Sequence, residues 1–202
     1  MVSEHYFSSS PGSELRLRQF HAQLAGKVYE LTTANGIFSP ERIDAGTQVL
    51  LASVPTPPPG GNLLDLGTGW GPIALTMAIE SPRSTVWAVD VNERALDLVR
   101  RNAETIGLTN VNAVLPQDVP DDISFMTIWS NPPIRVGKNE LHNLLATWLP
   151  RLDEATDAWL VVARNLGSDS LQRWIETEFS SVLTVTRVAL NKGFRVMRVR
   201  KR

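Results

Sequence analysis

The chain has 202 residues, 43% of them hydrophobic and 20% charged, which is enough for one domain with its own core and too apolar for a disordered segment. It has no cysteine, which excludes disulfides, thiolate metal sites and cysteine nucleophiles and fits a reducing cytoplasm, and no run approaches the ~20 apolar residues of a membrane helix. A net charge of -1 excludes a uniformly basic nucleic-acid-binding protein.

The first residues, MVSEHYFSSSPGSE, carry no apolar signal core. Phe20 to Leu24 and Lys27 to Thr32, joined by Ala25-Gly26, predict a hairpin. Ser39-Pro40 predicts the start of a helix running to about Ser53. The run Pro55-Thr-Pro-Pro-Pro-Gly-Gly61 fits neither helix nor central strand. It separates residues 1–54, a hairpin-and-helix extension, from a core over 55–202, the two making one compact domain.

The core alternates. Asn62 to Leu66 predicts a buried strand, Pro72 to Glu80 a helix, and Thr85 to Val89 a strand. Glu93 to Ile106 predicts an amphipathic helix, capped by Asn92 and closed by Gly107. Strands are expected at Val111 to Leu115, Ser124 to Trp129 and Ala158 to Ala163, and helices at Asn139 to Leu149 and Ser170 to Phe179. This order predicts an α/β, doubly wound sheet with helices on both faces. Val182 to Leu190 and Phe194 to Val199, joined by Asn191-Lys192-Gly193, read as a hairpin, so the last strand should be antiparallel.

Three stretches carry chemistry. The first is Leu63-Leu-Asp-Leu-Gly-Thr-Gly-Trp-Gly-Pro72, a buried strand running into three alternate glycines and a helix. Glycines there let a ligand approach the backbone. Pro72 stands where a dinucleotide fingerprint needs its third small residue, which disfavours a nicotinamide oxidoreductase. Asp65, read as an acid at the loop mouth, suits a cationic ligand. The second is Ala88-Val-Asp90-Val-Asn92, in which Asp90 ends the neighbouring strand and can accept both hydroxyls of a ribose. The third is Ser130-Asn131-Pro132-Pro133-Ile134. Two prolines fix the backbone and leave carbonyls without neighbouring amide donors, so the Asn131 side-chain oxygen and a rigid carbonyl form two acceptors suited to an exocyclic –NH2. His5, His21 and His142 are scattered, and no metal site is expected.

With Asn35-Gly-Ile-Phe-Ser39 and Ile43-Asp44 upstream, LLDLGTGWGPIAL and VDVNERAL in the middle and SNPPIRVGK downstream, the chain resembles the class I S-adenosylmethionine-dependent methyltransferases. It is most similar to the small-methyltransferase family that includes the ribosomal RNA small-subunit guanine methyltransferases of the C type, in their compact single-domain form. The resemblance implies a seven-stranded Rossmann-like sheet and S-adenosylmethionine as cofactor. It implies that Gly67, Thr68, Gly69 and Gly71 wrap the methionine end, supported by Asp65. Asp90 with Val91 would hold the ribose, Asp118 would lie near the adenine, and Asn131, Pro132 and Pro133 would hold the target amine against the cofactor. Phe38 would wall the site, Ile134 would touch the target, and Arg135 and Lys138 would contact phosphates. Ribosomal RNA or the small ribosomal subunit is the implied partner. Ile134 stands where many amine methyltransferases have a stacking ring, which keeps other acceptors open: an adenine, a protein glutamine or a small molecule. A non-catalytic RNA-binding role on the same scaffold also stays open.

Charge is unevenly placed. Lys192 to Arg202 carries +6 and no acid, which leaves -7 on the preceding residues. Near the carboxyl edge of the sheet, such a cationic end would form a phosphate-binding rim.

Overall fold

The structure is a computed structural model that describes residues 14–202, with every side chain among them except that of Arg135. The opening stretch, with His5, lies outside the described residues.

Two antiparallel strands, β1 (Leu17–Leu24) and β2 (Lys27–Ala34), form the N-terminal hairpin. The core is a seven-stranded sheet of β3 (Gly61–Leu66), β4 (Ser84–Val89), β5 (Val111–Val114), β6 (Phe125–Ser130), β7 (Leu152–Ala163), β8 (Leu183–Asn191) and β9 (Phe194–Lys201), ordered β5-β4-β3-β6-β7-β9-β8. β3 to β7 pair in parallel, and β9 lies antiparallel between β7 and β8, as the hairpin signal predicts.

Alternation along the strands divides the core in two. On one face Leu64, Leu66, Ile128 and Leu160 meet α4 (Lys138–Trp148) and α5 (Ser168–Glu178) through Leu145 and Ile175. On the other, Leu63, Ala88, Trp129 and Val161 meet α1 (Ala45–Leu51), α2 (Pro72–Glu80) and α3 (Glu93–Thr105). The hairpin lays Ala22, Leu24 and Leu31 over Trp70, Leu75 and Leu98. Asn102 closes this junction, accepting from Thr32 N–H at 2.7 Å and donating to Thr32 O at 3.0 Å. Among the described residues no helix is long and apolar enough to cross a membrane.

Most boundaries fall within three residues of expectation, and two depart by six. The helix predicted from Ser39 begins only at Ala45. Ser39 is held at φ +46° with its hydroxyl donating to Arg42 O at 2.8 Å, and the helix is capped by Asp44, which accepts from Gly46 N–H at 2.8 Å. β7 starts at Leu152, six residues before the apolar run at Ala158, because pairing continues through a bulge opposite Phe125 and Thr127.

Candidate functional site

Register assembles the site. At the carboxyl ends of the strands, Leu66 of β3 pairs with Val89 of β4 on one side and Ser130 of β6 on the other. The next residue of each strand is Asp90, Gly67 and Asn131, so three motifs spread over 65 positions meet in one row. β4 lies on one side of β3 and β6 on the other, which makes this row the topological switch point, where open α/β sheets bind ligands.

The glycine loop is pinned from outside. Gly67 and Thr68 donate their N–H groups to Val89 O at 2.8 and 3.1 Å. Gly69, at φ +56°, aims its N–H at Asp90 Oδ2 at 3.0 Å. Gly71, at φ +97°, caps α2, and a Cβ there would stand 3.1 Å from Val99 Cγ2, so only glycine lets α2 approach α3 this closely. Between them Trp70 is buried, its Nε1–H donating to Ser39 O at 3.2 Å and its ring meeting Phe20 edge-on at 5.0 Å.

Asp65 is not at the loop mouth. Strand alternation turns it to the α2 side of the sheet, where it is fully buried beneath the loop. Its Oδ2 accepts from Thr68 Oγ1 at 2.6 Å and from Ala74 N–H at 2.9 Å, while its Oδ1 has no partner. Burial pushes its pKa up to about 7, against the lowering effect of those two hydrogen bonds. An unfolded aspartate ionises near pH 4, so stability is fully present below that pH and is lost as pH rises through 7. Relative to Asp65→Asn, the ligand-free wild type should lose about 4 kcal/mol between pH 4 and 8. Urea melts across that range check it, and parallel pH profiles for the two proteins would refute the assignment.

Asp90 is held by two backbone donors, Gly69 N–H on Oδ2 and Asn92 N–H on Oδ1, each at 3.0 Å. Each oxygen keeps further acceptor capacity for a ligand. Burial raises its pKa, opposed by these N–H bonds.

At the end of β6, Asn131 donates both amide hydrogens, to Asp44 Oδ2 at 3.0 Å and Thr47 Oγ1 at 3.1 Å. Its Oδ1 is therefore the atom left for a ligand. The carbonyls that follow are not free of amide donors as expected. Ile134 N–H donates to Pro132 O at 2.8 Å and Val136 N–H to Pro133 O at 3.2 Å, because the proline pair ends before Ile134 and the chain turns.

One cavity of about 320 Å³ joins these groups, at the lower end of the ~300–1,000 Å³ typical of small-molecule sites. Its lining includes Gly67, Gly69, Asp90, Val91, Asn131, Pro132, Pro133, Ile134 and the exposed Phe38. Thr68 faces a smaller adjoining pocket, with Phe38, Asp44, Thr47 and Asn131. Gly71 is buried behind the loop. Asp118 is exposed and outside the cavity lining, whereas Pro116 of the same 3-10 turn contributes to it. Lys138 is exposed at the start of α4. The side chain of Arg135 lies outside the description.

Sequence reasoning missed Asp44, Thr47, Leu166 and Phe194 as members of the site. Asp44-Ala-Gly-Thr47 does carry a helix-cap signal, but a cap says nothing of a partner 87 positions away.

Most of the cationic end does not form the rim. β9 runs from Phe194, in the cavity, away to the amino edge of the sheet. Arg195 pairs with Asp169, Arg198 and Arg200 with Asp157, and Lys201 with Glu154. Of this segment Lys192 alone stays exposed near the cavity among the described residues, and Arg164 is exposed beside it. They flank its lining residues Ala163 and Phe194, and Arg164 N–H binds Gly193 O at 2.8 Å.

A sequence profile for the family described as Methyltransferase small domain matches residues 28–198. The Bacillus subtilis (strain 168) uncharacterized protein YbxB is 32% identical over 203 residues, covering 99% of this chain and 100% of that protein. A ribosomal RNA small subunit methyltransferase C from Aeromonas hydrophila is 38% identical over 118 residues, 57% of this chain and 33% of that protein. The chain thus spans about a third of that relative's length. Among solved structures, the T. thermophilus 16S rRNA N2 G1207 methyltransferase, in complex with AdoMet and guanosine, superposes with a TM-score of 0.78 at 21% identity. The match covers 95% of this chain and 52% of that one, a likeness of fold.

Proposed function

The chain belongs to the methyltransferase small domain family, and we propose that it transfers the methyl group of S-adenosylmethionine to the exocyclic 2-amino group of a guanine in 16S ribosomal RNA, acting in the cytoplasm. The observation that carries this reading is Asn131, whose amide hydrogens are both engaged by Asp44 and Thr47, leaving Oδ1 as an acceptor beside the glycine loop.

The residues fit the cofactor on two counts. Gly67 and Gly69 present bare backbone to the cavity, and the fixed Asp90 carboxylate stands on the neighbouring strand, at ribose-binding position. The unpartnered Asp65 Oδ1 beneath the loop favours a cationic group above it. Gly67, Thr68, Gly69 and Gly71 then shape the methionine end of the site, Asp90 and Val91 the ribose end, and Pro116 rather than Asp118 meets the adenine.

When bound, the cofactor supplies a methyl already activated on a sulfonium. The protein's part is alignment and charge stabilisation. Asn131 Oδ1 accepts one N–H of the target amine and so turns the nitrogen lone pair toward the methyl. It would also stabilise the positive charge that builds on that nitrogen as it takes up the methyl group. The remaining lone pair of Pro132 O assists, and the surplus proton passes to water after transfer. Ile134 offers no ring to stack on a base, but Phe38 and Phe194 line the same cavity and supply that surface.

Arg164 and Lys192 contact the phosphates of the bound strand, and the exposed Lys138 at the start of α4 is a further candidate. The double reversal Arg164→Glu, Lys192→Glu should raise KM for RNA about tenfold or more and lower the salt slope of binding by roughly 2, with S-adenosylmethionine affinity unchanged. An unaltered salt slope would remove these two residues from the interface.

The reading as a whole is tested by nucleoside mass spectrometry of ribosomal RNA from a deletion strain, with labelled cofactor and purified small subunits as the complementary assay. Loss of one N2-methylguanosine is expected. A complete nucleoside set, with label entering protein instead, would move the acceptor to a glutamine amide.

A further inference from the structure

We infer that Asp44 is the positioning residue of the amine site, orienting the Asn131 side chain so that its oxygen and not its nitrogen faces the acceptor. The inference rests on the reading of Asn131 as the group that holds the amine. Asp44 occupies three structural roles at once. It caps α1 through Oδ2, which accepts Gly46 N–H at 2.8 Å; the same oxygen accepts Asn131 Nδ2 at 3.0 Å; and the side chain lines the cavity.

An asparagine amide is nearly symmetric in shape, so packing alone does not choose between its two orientations. Here the partners choose. A carboxylate oxygen only accepts, so the atom facing Asp44 must be nitrogen, and the second amide hydrogen reaches the buried Thr47 Oγ1 at 3.1 Å. With both hydrogens committed, Oδ1 is delivered to the cavity at no further cost in ordering when the acceptor arrives. The flipped orientation would set oxygen against carboxylate and present an –NH2 group to the substrate amine, two donors facing each other.

The position of Asp44 is itself enforced. A Cβ on Gly46 would stand 3.0 Å from Asp44 Oδ2 and 3.0 Å from Phe194 Cε1, so the carboxylate and the Phe194 ring close on a single glycine. α1 packs on β7 and β9 through Val49 and Leu50, which join Trp159, Val161 and Val196 in one cluster. Asp44 thereby transmits the placement of the N-terminal segment to an acceptor at the end of β6.

The test separates this role from a plain structural one. Asp44→Ser keeps a good helix cap but is too short to reach Asn131, whereas Asp44→Asn keeps an oxygen for both contacts. Asp44→Ser should lower kcat on 16S RNA roughly 30–100-fold, with the calorimetric affinity for S-adenosylmethionine and the melting temperature near those of wild type, and Asp44→Asn should restore most of the rate. In NMR spectra of the free protein, the Asn131 side-chain amide hydrogens should exchange slowly in wild type and Asp44→Asn and rapidly in Asp44→Ser. Wild-type protection in Asp44→Ser would overturn the inference. So would a rate loss matched by an equal loss of cofactor affinity or of stability. If wild-type protein methylates no RNA, the acceptor reading fails, while amide exchange still decides the role of Asp44.

Discussion

Asn131→Ala should abolish most turnover while leaving the cofactor site intact. The expected fall in kcat is about 10²–10³, the size measured when one preorganised group that stabilises developing charge is removed. Affinity for S-adenosylmethionine should change little, because Asp90 and the glycine loop do not depend on the Asn131 amide. Single-turnover transfer of labelled methyl into 16S RNA, beside calorimetry with the cofactor alone, separates the two quantities. A variant that turns over normally would remove Asn131 from the chemistry. One that loses cofactor binding in proportion would make it a cofactor residue only.

Asp90→Ala should do the reverse. A carboxylate fixed by two N–H groups accepts the ribose hydroxyls without reorganising, and hydrogen bonds to a charged group contribute about 1.5–3 kcal/mol each. Losing them, together with the anchor of Gly69 N–H, should weaken cofactor binding roughly 10²–10⁴-fold. The rate at saturating cofactor should fall much less. Calorimetry reads the first quantity and steady-state kinetics at high cofactor the second. Wild-type affinity in this variant would show that the ribose is held elsewhere.

The core was legible because its signals are local. Short apolar runs separated by helical periods and turn residues specify a parallel sheet, and the Asn191-Lys192-Gly193 hairpin correctly turned the last strand antiparallel. The glycine loop, Asp90 and Asn131 were legible because each directly follows a strand, and parallel register brings such residues together whatever separates them in sequence. The depth of Asp65 was available in principle: a period of two sets it with Leu63, on the side that α2 covers. What could not be read depends on contacts between distant segments. The placement of Asp44, Thr47 and Phe194 follows from where α1 docks on β7 and β9. The fate of the cationic end follows from Asp157 and Asp169 lying opposite Arg198, Arg200 and Arg195. The early start assigned to α1 came from treating Pro40 as a helix-initiating residue, whereas Ser39 is turned into the left-handed region and the chain needs five more residues to enter the helix.

The bond from Trp70 Nε1 to Ser39 O ties the glycine loop to the wall of the cavity. Trp70 sits between two glycines of the loop proposed to receive the cofactor, and Ser39 follows Phe38, which lines the cavity. A ligand that restrained the loop would, through this bond, also restrain Ser39 and the wall beside it. Coupling of this kind is reciprocal in binding free energy, so a bound acceptor would also raise the affinity for the cofactor. We therefore expect donor and acceptor to bind cooperatively, each raising the calorimetric affinity measured for the other.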